Sequence, residues 1–358
     1  MDYLSRQEQF QRTFRGERLD AFVVTHAANL RYLCGYTGSN GLLLVVGDRR
    51  TFFTDGRYSE QARQEVRGAR VVIAKGSLLS EAVKRMPADR PLRLGFEADF
   101  TTVAAAGVMR NAVPKKVAVR ATSGLVMRQR MIKDEDELRL IRMAVVLGAG
   151  VFEKALPSIH PGIPETEVAG DLEYEARQAG ADGMSFETIV ASGPRSALPH
   201  GRASAEPIPQ RGFVVVDSGV ILRGYCSDMT RTVHMGGVGR KERKWYEAVL
   251  EAQLAGIAAV KPGKKAAEVD KAARQVLRRA GLDRYFTHST GHGVGLEIHE
   301  PPRLGKGQPE ELQAGMVITI EPGIYVPGRG GIRIEDMVLV TANGCEVLTS
   351  VNKELVEI

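Results

Sequence analysis

The chain has 358 residues, 43 % apolar and 26 % charged, with a formal net charge of +6. That mix excludes a disordered, collagen-like or coiled-coil protein and suggests two domains. No apolar run approaches the roughly 20 residues of a membrane span, and the N-terminus has no apolar core for a signal peptide. Three widely spaced cysteines (Cys34, Cys226, Cys345) make neither a disulfide framework nor a cysteine zinc knuckle. A cytoplasmic, reduced protein is expected. The basic excess lies in residues 1–125, which hold 20 Lys and Arg against 12 Asp and Glu; the remainder holds 29 against 31. It is spread singly, without interleaved aromatics, so neither a nucleic-acid nor a membrane partner is expected.

In chain order, strand-like runs at 21–25, 42–46, 51–54, 70–74 and 92–96 alternate with helical patterns near 56–66, 77–86 and 100–112. This predicts a small α/β domain with a mixed sheet over 1–122. The glycine-rich stretch Gly35–Gly41 lacks the Lys-Ser/Thr of a phosphate-binding loop and reads as a turn. A boundary follows near 121–125, and a second domain is expected over 128–358. It opens with Asp134-Glu-Asp-Glu137, a capping-box pattern for a helix to about Leu156, whose stripe is Leu138, Ile141, Val145 and Leu147. A helix over 164–179 and strands at 187–192, 213–217, 220–225 and 229–234 complete one half. Helices at 240–260 and 264–280 and strands at 316–320, 323–326, 332–340 and 345–348 make the other. Two similar halves place a site between their sheets.

Five of the seven histidines (200, 234, 288, 292, 299) fall within one hundred residues. Around them stand Val-Val-Val-Asp217-Ser-Gly, Ser-Asp228-Met-Thr-Arg-Thr, Thr-Gly-His292-Gly-Val-Gly, Ile-Thr-Ile-Glu321-Pro-Gly and Gly-Ile-Arg-Ile-Glu335-Asp. Singly, an aspartate beside an apolar strand reads as a turn or a salt-bridge residue. Four such carboxylates with a glycine-flanked histidine read as a metal site, because a buried acid is costly unless paired or coordinated. The oxygen-rich donor set suits two divalent cations, manganese first, then cobalt or zinc. His234 reads as a surface histidine, as do His26 and His160. His288 reads equally as a pocket wall or a satisfied buried residue. Arg231 and Arg333 read as structural partners of the carboxylates, and Asp336 as a salt-bridge partner.

These five blocks resemble the pita-bread metallopeptidases, in the group of Xaa-Pro dipeptidases (prolidases) and aminopeptidase P, over nearly the whole chain. The resemblance implies an α/β (α+β) fold: a small α/β N-terminal domain before a pita-bread catalytic domain. It implies that Asp217, Asp228, His292, Glu321 and Glu335 hold two divalent metal ions, with Asp228 and Glu335 bridging and Glu321 also relaying a proton. It gives His200 and His299 catalytic hydrogen bonds to the scissile carbonyl. It places Phe186 and Ile298 in a proline pocket and sets Arg303 against the carboxylate of a dipeptide; His288, if a pocket wall, joins the substrate-binding residues. The implied activity is hydrolysis of Xaa-Pro dipeptides. The alternatives are removal of a residue before proline in longer peptides and, remotely, a non-catalytic binding protein of this fold. A homodimer is also implied, with Tyr36–Gly41 a contact. The pattern departs at Leu222, where many members of the group carry tyrosine, and Tyr225 is the candidate substitute.

Overall fold

The computed structural model describes residues 1–358 and falls into two compact units, Met1–Arg130 and Met131–Ile358. In the first, α1 (Tyr3–Gly16), β1 (Ala21–Val24), α2 (Ala27–Cys34), β2 (Leu42–Val46), β3 (Arg49–Thr54), α3 (Ser59–Glu65), β4 (Arg70–Ile73), α4 (Leu78–Val83), β5 (Leu92–Glu97), α5 (Val103–Ala112), β6 (Val117–Thr122) and α6 (Leu125–Arg130) follow in order. The sheet runs β4-β3-β2-β1-β5-β6. It is mixed, as expected: β1–β2 and β2–β3 are antiparallel, and β3–β4, β1–β5 and β5–β6 are parallel. Every residue of β1 is buried, which accounts for its continuous apolar run.

Helices α1, α2 and α6 and strand β6 are absent from the sequence reading. The buried face of α1 carries Arg6, Gln7 and Gln11 beside Phe10 and Phe14, so no clean apolar stripe marks it. Those polar side chains bond backbone carbonyls instead: Gln7 Nε2 donates to Leu33 O near the end of α2 and to Arg67 O, both at 2.8 Å.

The second unit contains α7 (Glu135–Ala155), α8 (Glu165–Gln178), β7 (Gly183–Met184), β8 (Ile189–Ser192), β9 (Gly212–Ser218), β10 (Val220–Leu222), β11 (Tyr225–Cys226), β12 (Met229–Met235), α9 (Arg240–Ala259), α10 (Ala266–Arg279), β13 (Gly291–Gly293), β14 (Glu300–Leu304), β15 (Val317–Ile320), β16 (Gly323–Val326), β17 (Gly330–Arg333), β18 (Asp336–Val340) and β19 (Cys345–Val347). The capping box closes as the sequence predicts. Asp134 Oδ1 accepts from Glu137 N at 2.9 Å, and a Glu137 carboxylate oxygen accepts from Asp134 N at 3.1 Å. Helices α7 and α8 share a core with β8, β9 and β12. Residues of α9 and α10 pack with Phe213, Ile324, Ile332 and Ile334, and on another side with β15 and β18. The two antiparallel sheets, β12-β9-β8 and β14-β13-β15-β18-β19, are thus each backed by a helix pair.

Two expected strands are broken. The run 220–225 is a hairpin, β10 and β11, turning at Arg223 (φ 48°) and Gly224 (φ 80°); two successive left-handed residues form the tight turn that matches strand twist. The run 332–340 divides at Ile334-Glu335 into β17 and β18, which belong to different sheets. His234 is fully buried rather than on the surface. Its Nδ1 lies 2.9 Å from Gly236 O and its ring stands edge-on to Phe213. The β-branched strand around it gave no sign that both faces would be covered.

Candidate metal centre and peptide cleft

Four of the five candidate ligands lie at strand ends or breaks of the second unit, and the fifth, His292, lies beside a register shift within β13. Asp217 is near the end of β9, Asp228 immediately precedes β12, His292 is in β13, Glu321 follows β15, and Glu335 occupies the break between β17 and β18. Strand ends suit such side chains, because the backbone leaves the ladder there and can aim them into one space. Donor atoms of Asp228, His292 and Glu335 lie within 4.8 Å of one another. His292 Nε2 is 3.5 Å from both Asp228 Oδ2 and Glu321 Oε1. Its Nδ1 faces the Gly293 carbonyl at 3.0 Å. An Nδ1–H donated there leaves the Nε2 lone pair facing the carboxylates. Gly291 and Gly293 are required beside it: a Cβ at Gly291 would stand 1.9 Å from Thr319 O, and one at Gly293 2.3 Å from Pro301 O.

The electrostatics are those of an undercompensated acid cluster. Burial, then repulsion from Asp217 and Glu321, holds Asp228 well above the ordinary carboxylate range. Burial, then Asp228 and Glu321, does the same to Glu335. Burial pushes Glu321 from an ordinary 4.5 to about 7. Thr230 Oγ1 donates to Glu335 Oε2 at 2.7 Å and Thr319 Oγ1 to Glu321 Oε1 at 3.3 Å. Asp217 Oδ1 is buried with no hydrogen-bond partner. A buried carboxylate oxygen left unsatisfied among three more carboxylates fits a cation-binding site, and the hard, oxygen-rich donor set fits divalent ions.

One guanidinium faces this charge. Arg333, paired in β17 with Gly323, donates from Nη2 to Asp217 Oδ2 at 2.6 Å and from Nε to Thr230 Oγ1 at 3.0 Å. Its Nη1 donates to the Pro199 carbonyl at 3.0 Å and to the Tyr325 hydroxyl at 2.7 Å. The Tyr325 hydroxyl lies 2.9 Å from His288 Nε2, and His288 Nδ1 lies 2.8 Å from Ser289 O. Burial, reinforced by the Arg333 charge, lowers His288 to about 3. His288 is thus a neutral wall of the cleft and satisfied at both nitrogens. Arg231 and Asp336 pair at 2.8 Å, and Lys353 joins Asp336 at 2.7 Å.

A cleft of about 830 Å³ opens over the cluster, lined by all eleven candidate residues: Phe186, His200, Asp217, Asp228, His288, His292, Ile298, His299, Arg303, Glu321 and Glu335. The His299 ring stands edge-on to His292 with centroids 4.4 Å apart, and burial lowers its pKa. Arg303 is directly opposite His292 in the β13–β14 register, so the two side chains share a face. Arg303 is exposed and makes no ion pair, which leaves its guanidinium available in the cleft wall. Tyr225 does not substitute for the missing tyrosine at Leu222. Its hydroxyl donates to Glu137 Oε1 at 3.0 Å and it does not line the cleft.

The sequence reading missed Tyr325 and Glu300, as well as Glu187, Arg202, Gln308 and Glu310 of the cleft wall. Tyr325 follows Glu321 by four residues within a glycine-punctuated strand pair, a faint signal. Gln308 and Glu310 sit in an irregular loop that offers none.

Residues 139–342 match the family described as Metallopeptidase family M24, and residues 6–132 match the Creatinase/Prolidase N-terminal domain. The chain is 37 % identical over 339 residues to a Xaa-Pro dipeptidase of Pyrococcus horikoshii, covering 94 % of this chain and 95 % of that one. Among solved structures, a Xaa-Pro dipeptidase from Bacillus anthracis is 39 % identical with a TM-score of 0.95, covering 100 % of both chains. An X-Pro aminopeptidase from Thermotoga maritima is 34 % identical with a TM-score of 0.88, covering 97 % of this chain and 100 % of that one. The fold likeness embraces both the α/β N-terminal domain and the pita-bread domain, as the sequence predicts.

Proposed function

Because the chain belongs to metallopeptidase family M24, we propose that it hydrolyses the Xaa-Pro bond of dipeptides in a metal-dependent reaction. The observation that carries the dipeptide reading is Arg303, an unpaired guanidinium on the cleft face shared with His292. A dipeptide places a free carboxylate one residue beyond the scissile bond, where such a cation makes a charge-assisted pair.

In this reading Asp217, Asp228, His292, Glu321 and Glu335 would hold two divalent ions. Four carboxylates face a single touching guanidinium, an imbalance that two ions offset; manganese suits the donors first, cobalt or zinc next. When bound, such ions polarise the carbonyl and lower the pKa of water towards neutrality. Glu321 takes a proton during attack and returns it to the departing proline nitrogen. His200 and His299 donate hydrogen bonds to the carbonyl oxygen as its charge grows. Phe186 and Ile298 flank the proline ring. Proline nitrogen has no N–H, so the site recognises its substrate through these walls and the terminal charges rather than by strand-like pairing.

The likeness to an X-Pro aminopeptidase supports a second reading, release of a residue preceding proline in longer peptides. The manganese-loaded protein, assayed with a Xaa-Pro dipeptide and the matching Xaa-Pro-containing tripeptide side by side, decides between the two. Preference for the dipeptide is expected, and preference for the tripeptide overturns it.

The proposal extends to a homodimer with Tyr36–Gly41 at the contact, and to a reducing, cytoplasmic setting. The three cysteines are free, with burial pushing Cys34 and Cys226 up to about 12. No helix is long and apolar enough to cross a membrane.

A further inference from the structure

We propose that Lys133, with Glu300, is the positioning residue for His299, an inference that rests on the hydrolytic reading above. Lys133 lies just before α7, its backbone N–H donating to Gly315 O at 2.9 Å. Its ammonium is 3.2 Å from Glu300 Oε2, and each side chain is only 1 % exposed. A lysine and a glutamate this deeply buried, 167 residues apart, are costly to desolvate. Such a pair adds little stability over apolar side chains of the same size; what it can add is a single fixed geometry.

What it fixes is the turn that carries His299. Glu300 follows His299 directly and begins β14, facing Gly293 of β13. Its Oε1 accepts from the Glu297 N–H at 3.1 Å. The chain wraps so closely around this carboxylate that a Cβ at Gly295 would lie 2.7 Å from both of its oxygens. Gly295 N donates to Glu297 O at 3.1 Å, and Cys226 N to Gly295 O at 2.8 Å. Residues 295–300 are therefore folded around a carboxylate whose other oxygen is held by Lys133. Ile298 and His299 project from that turn into the cleft. Without the ammonium, the buried carboxylate loses a charged partner held at 3.2 Å, and the turn is expected to open or re-aim. A displacement of about 1 Å at such a distance from the chemistry costs about 10²-fold in rate.

The test is a double-mutant cycle on the metal-loaded, full-length protein. Lys133→Met keeps the length of the side chain and removes its charge. It is expected to lower kcat for a Xaa-Pro dipeptide about 10- to 100-fold, with a smaller rise in KM through Ile298 on the same turn and bound metal unchanged. In a His299→Ala background the same substitution is expected to cost almost nothing more in kcat, because the catalytic group it positions is gone. A merely structural role predicts additive losses, and additivity overturns the proposal. So does an unaltered kcat in Lys133→Met. Amide exchange at Glu297–Glu300 supplies a readout independent of turnover: it is expected to accelerate in Lys133→Met, and unchanged protection overturns the proposal. If Lys133→Met does not fold, Glu300→Gln carries the same cycle, since it keeps the acceptor for Glu297 N and removes the charge facing Lys133. Absence of Xaa-Pro cleavage by the wild type defeats the hydrolytic reading instead, and with it the role assigned to His299, while the exchange measurement still decides whether the pair holds the turn.

Discussion

Nη2 of Arg333 lies 2.6 Å from Oδ2 of Asp217, with side chains 4 % and 12 % exposed. The same guanidinium reaches the Pro199 carbonyl, one residue before His200, and the Tyr325 hydroxyl, which meets His288. A single side chain from β17 thus ties the carboxylate cluster to the backbone on which His200 sits.

Removing one partner of a buried ion pair leaves the other uncompensated, at a cost of about 3–5 kcal/mol. Arg333→Met is therefore expected to lower the unfolding free energy by about that amount. Arg333→Lys should recover only part of it, because an ammonium cannot serve four acceptors in a planar fork. Denaturant titration of the three proteins checks this; equal stability of Arg333→Met and wild type would falsify it.

Stability of the metal-free protein should fall with rising pH. Burial raises Glu321 from 4.5 to about 7 and lifts Asp228 and Glu335 as well. Above the unfolded carboxylate range the folded state then holds protons that the unfolded chain has released, so each step up in pH favours unfolding until the raised groups have ionised. In chelator, Tm is expected to drop between pH 5 and 8. Manganese should raise Tm most at pH 8, where the ligands are free of protons. Calorimetry at three pH values with and without the metal tests the sign. Chelation should also abolish turnover, and manganese or cobalt restore it.

For Arg303, a charged hydrogen bond is worth about 1.5–3 kcal/mol, or roughly ten- to a hundred-fold in binding. Arg303→Ala is expected to raise KM for Xaa-Pro dipeptides by that factor and to leave tripeptide turnover far less affected. Equal effects on both substrates would place the carboxylate reader elsewhere.

His200→Ala should act differently, lowering kcat for dipeptide and tripeptide alike by about 10²–10³. Its proposed hydrogen bond strengthens as the carbonyl oxygen gains charge, so the loss falls on turnover rather than on ground-state binding. A variant with altered KM and intact kcat would count against this role.

The proposed homodimer is checked by light scattering at micromolar concentration. A dimer is expected. A monomer of full specific activity would remove Tyr36–Gly41 from any role at a contact.

Much of the candidate site is legible in the sequence. An acidic residue at the edge of a β-branched run is costly enough to be conspicuous, and Asp217, Asp228, Glu321 and Glu335 all stand so. Glycines around His292 mark close backbone approach, and the Asp134–Glu137 box depends on residues three apart. These are local signals, set by period, spacing or an exceptional energetic cost within a few positions. Five of the six strands of the N-terminal sheet, all but β6, and the helix pairs of the second unit are visible for the same reason. Tertiary structure alone decided the rest. Tyr225 turned to Glu137 rather than to the carboxylates, His234 became buried, and α1 formed although its inner face carries arginine and glutamine. Arg333 gathered four acceptors, and Lys133 met Glu300 across 167 residues. Each of these depends on which polar atoms find partners once distant segments are packed. A side chain's own neighbours in the chain carry no trace of that, because a hydrogen bond is satisfied by proximity in space and not by spacing in sequence.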